Sequence, residues 1–327
     1  MKYRALGSTG IEVSEIGYGT WGLGGNAYGP VDDNESKKAL RRAFEKGINF
    51  FDTSDLYGNG HSEQLLGEVF RDVRDAVVIA TKGGTLPHSG FYMPQDFSPK
   101  YLRNALEGSL KRLKTDYIDL YQLHSPQIQD IEANADILDT LETFKSEGKI
   151  KAYGISPRSP QDAIIAIQQF RFTVVQVNFN LIDQRAIETG LFKIAAEKNV
   201  GIINRTPLVF GYLSGKMTGD ERFDGVDHRA NWPKEQLKRW AKSPNLFDFL
   251  YENGKQRSAV QAALLFCLAH REISTVIPGM LNVQEVEEDI EVANLPPLNS
   301  DEIGKIREIY RTHDFYDRQA KQKGCNT

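Results

Sequence analysis

The sequence predicts an α/β protein: one (β/α)8 TIM barrel with an N-terminal β-hairpin, a single domain over residues 1–327. Three observations carry this expectation. Eight short, β-branched apolar strings recur, each followed by a stretch with helical spacing of its apolar residues. The strings are apolar throughout rather than alternating, as in parallel strands covered by helices. No Pro/Gly/Ser-rich linker divides the middle of the chain, so a length that also accommodates two domains reads as one.

Residues 3–13, with Ser-Thr-Gly at 8–10, read as a hairpin able to plug the N-terminal end of the barrel. The eight strands fall at 15–19, 48–53, 76–81, 117–123, 151–155, 173–177, 201–203 and 274–277. Between them, residues 100–113, 161–170 and 260–270 place apolar side chains at three- and four-residue intervals. Ser98-Pro99 and Ser159-Pro160 each set an N-cap serine before a proline at the first helical position. Residues 209–243 are long for a βα loop and are expected to fold over a cofactor or substrate. The tail after Asn294 either covers the mouth or is solvated.

Composition narrows the function. Forty Lys+Arg against 44 Asp+Glu give a net charge of -4, which argues against nucleic acid or an anionic membrane as the main partner. No apolar run approaches a membrane span, and the N-terminus lacks an apolar signal core. Two cysteines, Cys267 and Cys325, suit a reducing, cytoplasmic setting and supply no thiol metal site; no metal is expected. The expected partner is a small molecule.

Gly17-Tyr18-Gly19-Thr20-Trp21-Gly22 matches G-x-G-x-x-G after a strand. A dinucleotide fingerprint needs the last glycine to open a helix whose N-terminus meets the pyrophosphate. Here Leu-Gly-Gly-Asn-Ala-Tyr-Gly-Pro follows, and helical spacing resumes only near Asp33. The motif reads as a glycine-rich loop leaving the first strand, with Trp21 lining a pocket.

In a barrel of this kind, chemistry sits at the C-terminal ends of the strands. Asp52 and Tyr57 follow the second strand, Lys82 ends the third and His124 the fourth; Ser156, Gln176 and Arg205 follow at the fifth, sixth and seventh. Singly, each has a bland reading as a cap, a solvated charge or a pocket wall. Three ionisable groups ending successive apolar strands, and so converging on one mouth, are costly to bury without purpose. Lys82 is expected to lower the pKa of Tyr57 from its reference of about 10, with Asp52 holding the ammonium in place. His124 would share the substrate oxygen. Such a set protonates a carbonyl as hydride arrives, or deprotonates an alcohol in reverse, and it needs a nicotinamide cofactor because none of its members supplies hydride.

These residues resemble the aldo-keto reductase family over nearly the whole chain. The most specific segments are Phe51-Asp52-Thr53-Ser54-Asp55-Leu56-Tyr57-Gly58 with Ser62-Glu63, Ala80-Thr81-Lys82, and Asp119-Leu120-Tyr121-Gln122-Leu123-His124. The resemblance implies a catalytic tetrad of Asp52, Tyr57, Lys82 and His124, with Tyr57 as general acid, and NADP(H) or NAD(H) bound extended across the mouth. By the same resemblance, Ser156 and Gln176 meet the nicotinamide carboxamide, and Thr20 and Asp52 lie near its ribose. Pro207, Leu208 and Lys216 belong to a loop beside the pyrophosphate. Gly279, Asn282, Glu285 and Asp289 lie in the adenosine-phosphate segment.

The chain departs from the family pattern at Pro157, where an asparagine is frequent, and at Arg205, where an aromatic is frequent. Leu281 stands where an arginine commonly meets a 2′-phosphate, and Glu285 and Asp289 replace neutral or basic residues. An acid suits a free ribose hydroxyl better than a phosphate, so the segment leans toward NAD(H); alternatively these acids complement a helix dipole.

Trp21, Tyr57 and His124 are the expected substrate contacts, while most of Phe91, Tyr92, Phe97, Phe210, Tyr212, Phe223, Trp232 and Trp240 read as loop packing. Arg205, Lys216, Arg222 and Arg229 suit an anionic or polyhydroxylated substrate, or simply solvate the loop. Two other functions compete. One is a cofactor-binding regulatory subunit with little turnover. The other is a lyase using Lys82 as a Schiff base, which leaves Tyr57, Ser156 and Gln176 without roles.

Overall fold

A computed structural model describes residues 1–316 apart from 89, 135 and 253. The predicted hairpin forms from β1 (Tyr3–Ala5) and β2 (Glu12–Ser14), paired antiparallel with Arg4 opposite Val13. Eight parallel strands follow: β3 (Tyr18–Gly19), β4 (Phe50–Asp52), β5 (Val78–Gly83), β6 (Ile118–His124), β7 (Ile150–Ser156), β8 (Val174–Asn178), β9 (Gly201–Arg205) and β10 (Ile273–Val276). Each pairs with its sequence neighbour, and β10 returns to the first strand through bridges Ile16–Val276 and Gly19–Gly279, so the sheet closes. All eight predicted strands are present.

The closing seam explains Gly17 and Gly19 of the G-x-G-x-x-G match. Gly17 and Gly19 donate their N–H groups to the Val276 and Pro278 carbonyls, both at 2.8 Å. A Cβ on Gly19 would lie 2.9 Å from the Ile277 oxygen and 3.1 Å from that of Pro278. No nucleotide is needed to account for them. Thr20 is followed by one 3-10 turn, Trp21–Gly24, and the α-helix starts at Asp33, capped by Asp32. Gly19→Ala is expected to cost about 1–3 kcal/mol by crowding this seam; an unchanged denaturation midpoint would refute that account.

Two apolar layers separate on the strand period of two. Phe51, Ile79, Tyr121, Leu123, Val175 and Ile202 face outward into the main core between sheet and helices. Phe50, Ala80, Leu120, Ala152, Val174 and Ile203 face inward, joined from below by Leu6 and Val13 of the hairpin, which plugs the N-terminal end as expected. The next inward position along the chain is polar in five strands: Asp52, Lys82, Gln122, Gln176 and Arg205. The fold therefore builds a polar layer directly on an apolar plug.

The predicted serine caps are in place: Ser98 accepts from Tyr101 N and Ser159 from Asp162 N, opening helices Pro99–Leu113 and Pro160–Gln168. The third predicted helix spans Ala259–Leu268, and its exposed C-terminal carbonyls are met by Arg4, which donates to Leu268 and His270. Residues after β9 form short turns and helix Lys234–Lys242, against which the C-terminal segment packs through Gln236 and Arg239, donating to the Phe315 and Asp314 carbonyls. The rest of the tail, with Cys325, lies outside the described residues. Among the described residues, no helix is long and apolar enough to cross a membrane.

Candidate active site

The polar layer centres on Lys82, fully buried on β5. Its ammonium has three hydrogens, and three acceptors surround it: Asp52 Oδ2 at 2.6 Å, the Thr53 carbonyl at 2.8 Å and the Tyr57 hydroxyl oxygen at 3.2 Å. Asp52 is fixed in turn, its Oδ1 accepting from Gln176 Nε2 at 2.6 Å and Gln122 Nε2 at 3.4 Å. Register places these groups side by side, because Asp52 pairs with Ala80 and Lys82 with Gln122. A buried ion pair is tolerable only when its remaining valences are filled. Here they are filled by protein.

Tyr57 lies in the loop after β4, where its oxygen accepts from Lys82 and keeps its own hydrogen free for the mouth. Gly24 and Gly58 hold that loop against the loop after β3: a Cβ on Gly58, which has φ +60°, would lie 2.2 Å from the Gly24 oxygen. Lys82 pulls the Tyr57 pKa down as expected, but the net shift is upward. Burial pushes it up by more than Lys82 pulls it down, and Asp52 adds to the rise. Tyr57 is therefore a protonated donor at neutral pH. For Lys82, burial acts downward, but Asp52 and Tyr57 outweigh it and hold the ammonium above its ordinary value.

His124 ends β6 with its ring edge-on to that of Tyr57, centroids 6.0 Å apart. Burial, then Lys82 and Arg205, push its pKa well down, so the imidazole is neutral. Its Nδ1 meets Ser54 Oγ at 3.0 Å. Trp21 packs 6.4 Å from the Tyr57 ring and 4.4 Å from that of His228. The long loop reaches this wall: His228 N donates to the Ala27 carbonyl at 2.8 Å, and Phe210 stacks edge-on to Trp21. Phe97, Tyr212, Trp232 and Trp240 are buried packing, whereas Tyr92 is 81% exposed. Arg229 is paired with Asp227 and lies over the Tyr28 and Phe223 rings, which gives it a structural place rather than a free charge at the mouth.

The predicted cofactor residues follow the rim. Thr20 Oγ1 donates to the Asp52 carbonyl and accepts from Ser62. Ser156 Oγ lies 3.4 Å from Gln176 Oε1. Arg205 donates to the Pro157 carbonyl at 3.4 Å, and its buried Nε has no hydrogen-bond partner among the described residues. Pro207 and Leu208 sit in a turn where Thr206, Val209 and Phe210 all have positive φ; for β-branched Val209 this is stored strain, which concentrates at working sites. Lys216 crosses to Glu288, 3.7 Å away.

Beyond Gly279, Asn282 caps helix Val283–Ile290 through Glu285 N, and Glu285 accepts from Leu281 N at 2.7 Å. Asp289 is buried one turn later, and burial, with Glu288 and Glu285, pushes its carboxyl well up. Glu285 thus has a local structural partner. An unpartnered buried guanidinium nitrogen and a hydroxyl–amide pair at the ends of β7, β8 and β9 fit a polar ligand. Among the described residues, no group of three or more His, Cys, Asp or Glu is placed to hold a metal ion.

The model of the Aldo/keto reductase family matches residues 15–311. The chain belongs to the aldo-keto reductase family. This aldo-keto reductase is 40% identical over 232 residues to the 6-dehydroglucose reductase of Novosphingobium aromaticivorans, an alignment covering 67% of this chain and 73% of that one. It is 33% identical to an aldo-keto reductase of Bacillus subtilis (strain 168), covering 82% of this chain and 81% of that one. Among solved structures it is similar to the glycerol dehydrogenase of Gluconobacter oxydans, at 26% identity and a TM-score of 0.80, covering 96% of this chain and 97% of that one. Family and fold together support an oxidoreductase acting between carbonyl and alcohol.

Four groups of this aldo-keto reductase's mouth receive no role from its sequence. Gln122 was hidden inside an apolar string, although it lies two residues before His124 and so on the same face. Ser54 and Asp55 lie inside a segment that carries the family resemblance, which gave neither a role of its own. His228 contacts a loop 201 positions away, and no local pattern encodes that.

Proposed function

We propose that the protein interconverts a carbonyl and an alcohol with NADP(H) or NAD(H), Tyr57 acting as general acid in reduction and as base in oxidation. The observation that carries this reading is the Lys82 ammonium, saturated by Asp52, Thr53 and Tyr57, which leaves the Tyr57 hydrogen as the free donor beside neutral His124. The bound nicotinamide would supply or accept the hydride. Ser156 and Gln176 would hold its carboxamide, Thr20 and Asp52 would flank its ribose, and Arg205, Pro207, Leu208 and Lys216 would border the pyrophosphate. Trp21, Tyr57 and His124 would contact the substrate.

A small polyhydroxylated carbonyl or sugar is the favoured substrate class. It is supported by the names of two similar proteins, a 6-dehydroglucose reductase and a glycerol dehydrogenase. Aromatic Trp21 beside polar donors suits such a ligand. The test is nicotinamide oxidation and reduction over a panel of aldehydes, ketones, sugars and polyols. Tight cofactor binding with no turnover on any of them would favour a regulatory subunit instead, and borohydride trapping at Lys82 would favour a lyase.

For the adenosine end, Leu281 and Glu285 support NAD(H), alongside Gly279, Asn282 and Asp289. The KM for NADH is expected to lie at or below that for NADPH, and Leu281→Arg should lower the KM for NADPH by about tenfold, the worth of one charge-assisted contact of ~1.4 kcal/mol. A wild-type preference of about a hundredfold for NADPH would overturn the assignment.

A further inference from the structure

Ser54 Oγ stands between His124 Nδ1, at 3.0 Å, and Asp55 Oδ1, at 3.1 Å. It also accepts from Leu56 N at 3.1 Å, while the Lys82 carbonyl lies at 3.5 Å, too far to compete for its proton. A hydroxyl has one hydrogen and two lone pairs, so these contacts cannot be filled independently. We propose that Ser54 and Asp55 are positioning residues that set which ring nitrogen of His124 carries the proton, and so whether the imidazole donates to a carbonyl oxygen or accepts from an alcohol.

Two arrangements satisfy every contact. With Asp55 ionised, the Ser54 hydroxyl donates to it, Leu56 N–H fills one lone pair and His124 Nδ1–H fills the other. Nε2 is then bare and accepts from an alcohol hydroxyl. With Asp55 protonated, Asp55 donates to Ser54, Ser54 donates to Nδ1, and Nε2 carries hydrogen for a carbonyl oxygen. One proton connects the two states: it joins Nε2 from the mouth, the Nδ1 proton passes to Ser54 Oγ, and the hydroxyl proton passes to Asp55 Oδ1. The imidazole is neutral before and after, in keeping with its lowered pKa.

The surroundings place the change near neutrality. Burial first, and Glu63 from helix His61–Val69 second, push Asp55 up to about 7, against Ser54, Arg112 and the Leu56 amide, which pull it down. Tyr101 and Arg112 of helix Pro99–Leu113 and Tyr121 of β6 also face it. Around His124 stand Lys82 of β5, Arg205 of β9 and His88 of the loop after β5. Below about 7 the donor form prevails and serves reduction; above it the acceptor form prevails and serves oxidation.

This inference rests on the oxidoreductase reading only for its consequence, and the primary measurement needs no turnover. The 15N signals of His124 in the ligand-free protein, assigned by their loss in His124→Asn, distinguish the two neutral tautomers. Their ratio is expected to change by up to about tenfold per pH unit through neutrality in the wild type. In Asp55→Asn and in Ser54→Ala it should not depend on pH. In kinetics, the wild-type reduction rate should fall and the oxidation rate rise with an inflection near neutrality, and Asp55→Asn should lose both inflections while keeping the alkaline rise in oxidation that Tyr57 sets. A single wild-type tautomer across the range, or the same pH dependence in Asp55→Asn, would overturn the relay whether or not the enzyme turns over. Absence of turnover with a normal tautomer change would instead count against the oxidoreductase reading alone.

Discussion

Tyr57→Phe is expected to lower kcat by about a hundred- to ten-thousand-fold while leaving cofactor affinity unchanged, because the hydroxyl is the proton donor and the ring only packs. The ring contacts with Trp21 and His124 survive the change, as does the ammonium's grip on Asp52 and Thr53. What is lost is the acceptor at 3.2 Å from Lys82 Nζ and the free hydrogen beyond it. Because burial holds the phenol above its ordinary value, reduction by the wild type should keep its Tyr57 proton through mildly alkaline pH. Oxidation needs the phenolate and should climb with pH over the same range. The measurement is kcat in both directions against pH, with cofactor affinity followed by fluorescence. Near wild-type turnover in Tyr57→Phe would remove Tyr57 from the chemistry.

The barrel was legible because its rule is local. Strands apolar on both faces, serine caps before prolines and a hairpin turn each depend on a few adjacent residues, and each formed where expected. The meeting of Asp52, Lys82 and His124 was legible for a related reason: strand ends converge, so these residues had to come together once eight strands were counted. The balance of forces at Tyr57 was not legible. Lys82 could be placed beside it from the sequence, but the burial that reverses the sign of the shift depends on how the Gly24 and Gly58 loops close. Gln122 could have been found by counting inward positions from His124. The bridge from His228 to Ala27 could not, since both ends lie in irregular segments far apart in the chain. Glu285 shows the opposite difficulty: its charge was plain, yet its hydrogen bond to Leu281 N gives it a structural partner that composition cannot distinguish from a ribose contact.

Lys82→Met should be strongly destabilising. Lys82 and Asp52 are both almost fully buried, with side-chain exposures of 0% and 2%. Removing the ammonium leaves the carboxylate with Gln176 and Gln122 as its side-chain donors and strips the Thr53 carbonyl of its side-chain partner. Breaking a buried pair from one side costs about 3–5 kcal/mol, because the stranded charge keeps its desolvation penalty without its compensation. Asp52→Asn strands the ammonium and should cost a similar amount. The double variant carries neither charge, so its loss should fall short of the sum of the singles by more than about 1 kcal/mol. Lys82→Arg should rescue neither stability nor activity, since a planar fork cannot reach three acceptors arranged around a single tetrahedral nitrogen. Denaturant unfolding of the four proteins measures the cycle directly. Additive losses would mean that the pair is not coupled, and the buried ammonium would then lose its place as the organiser of Tyr57.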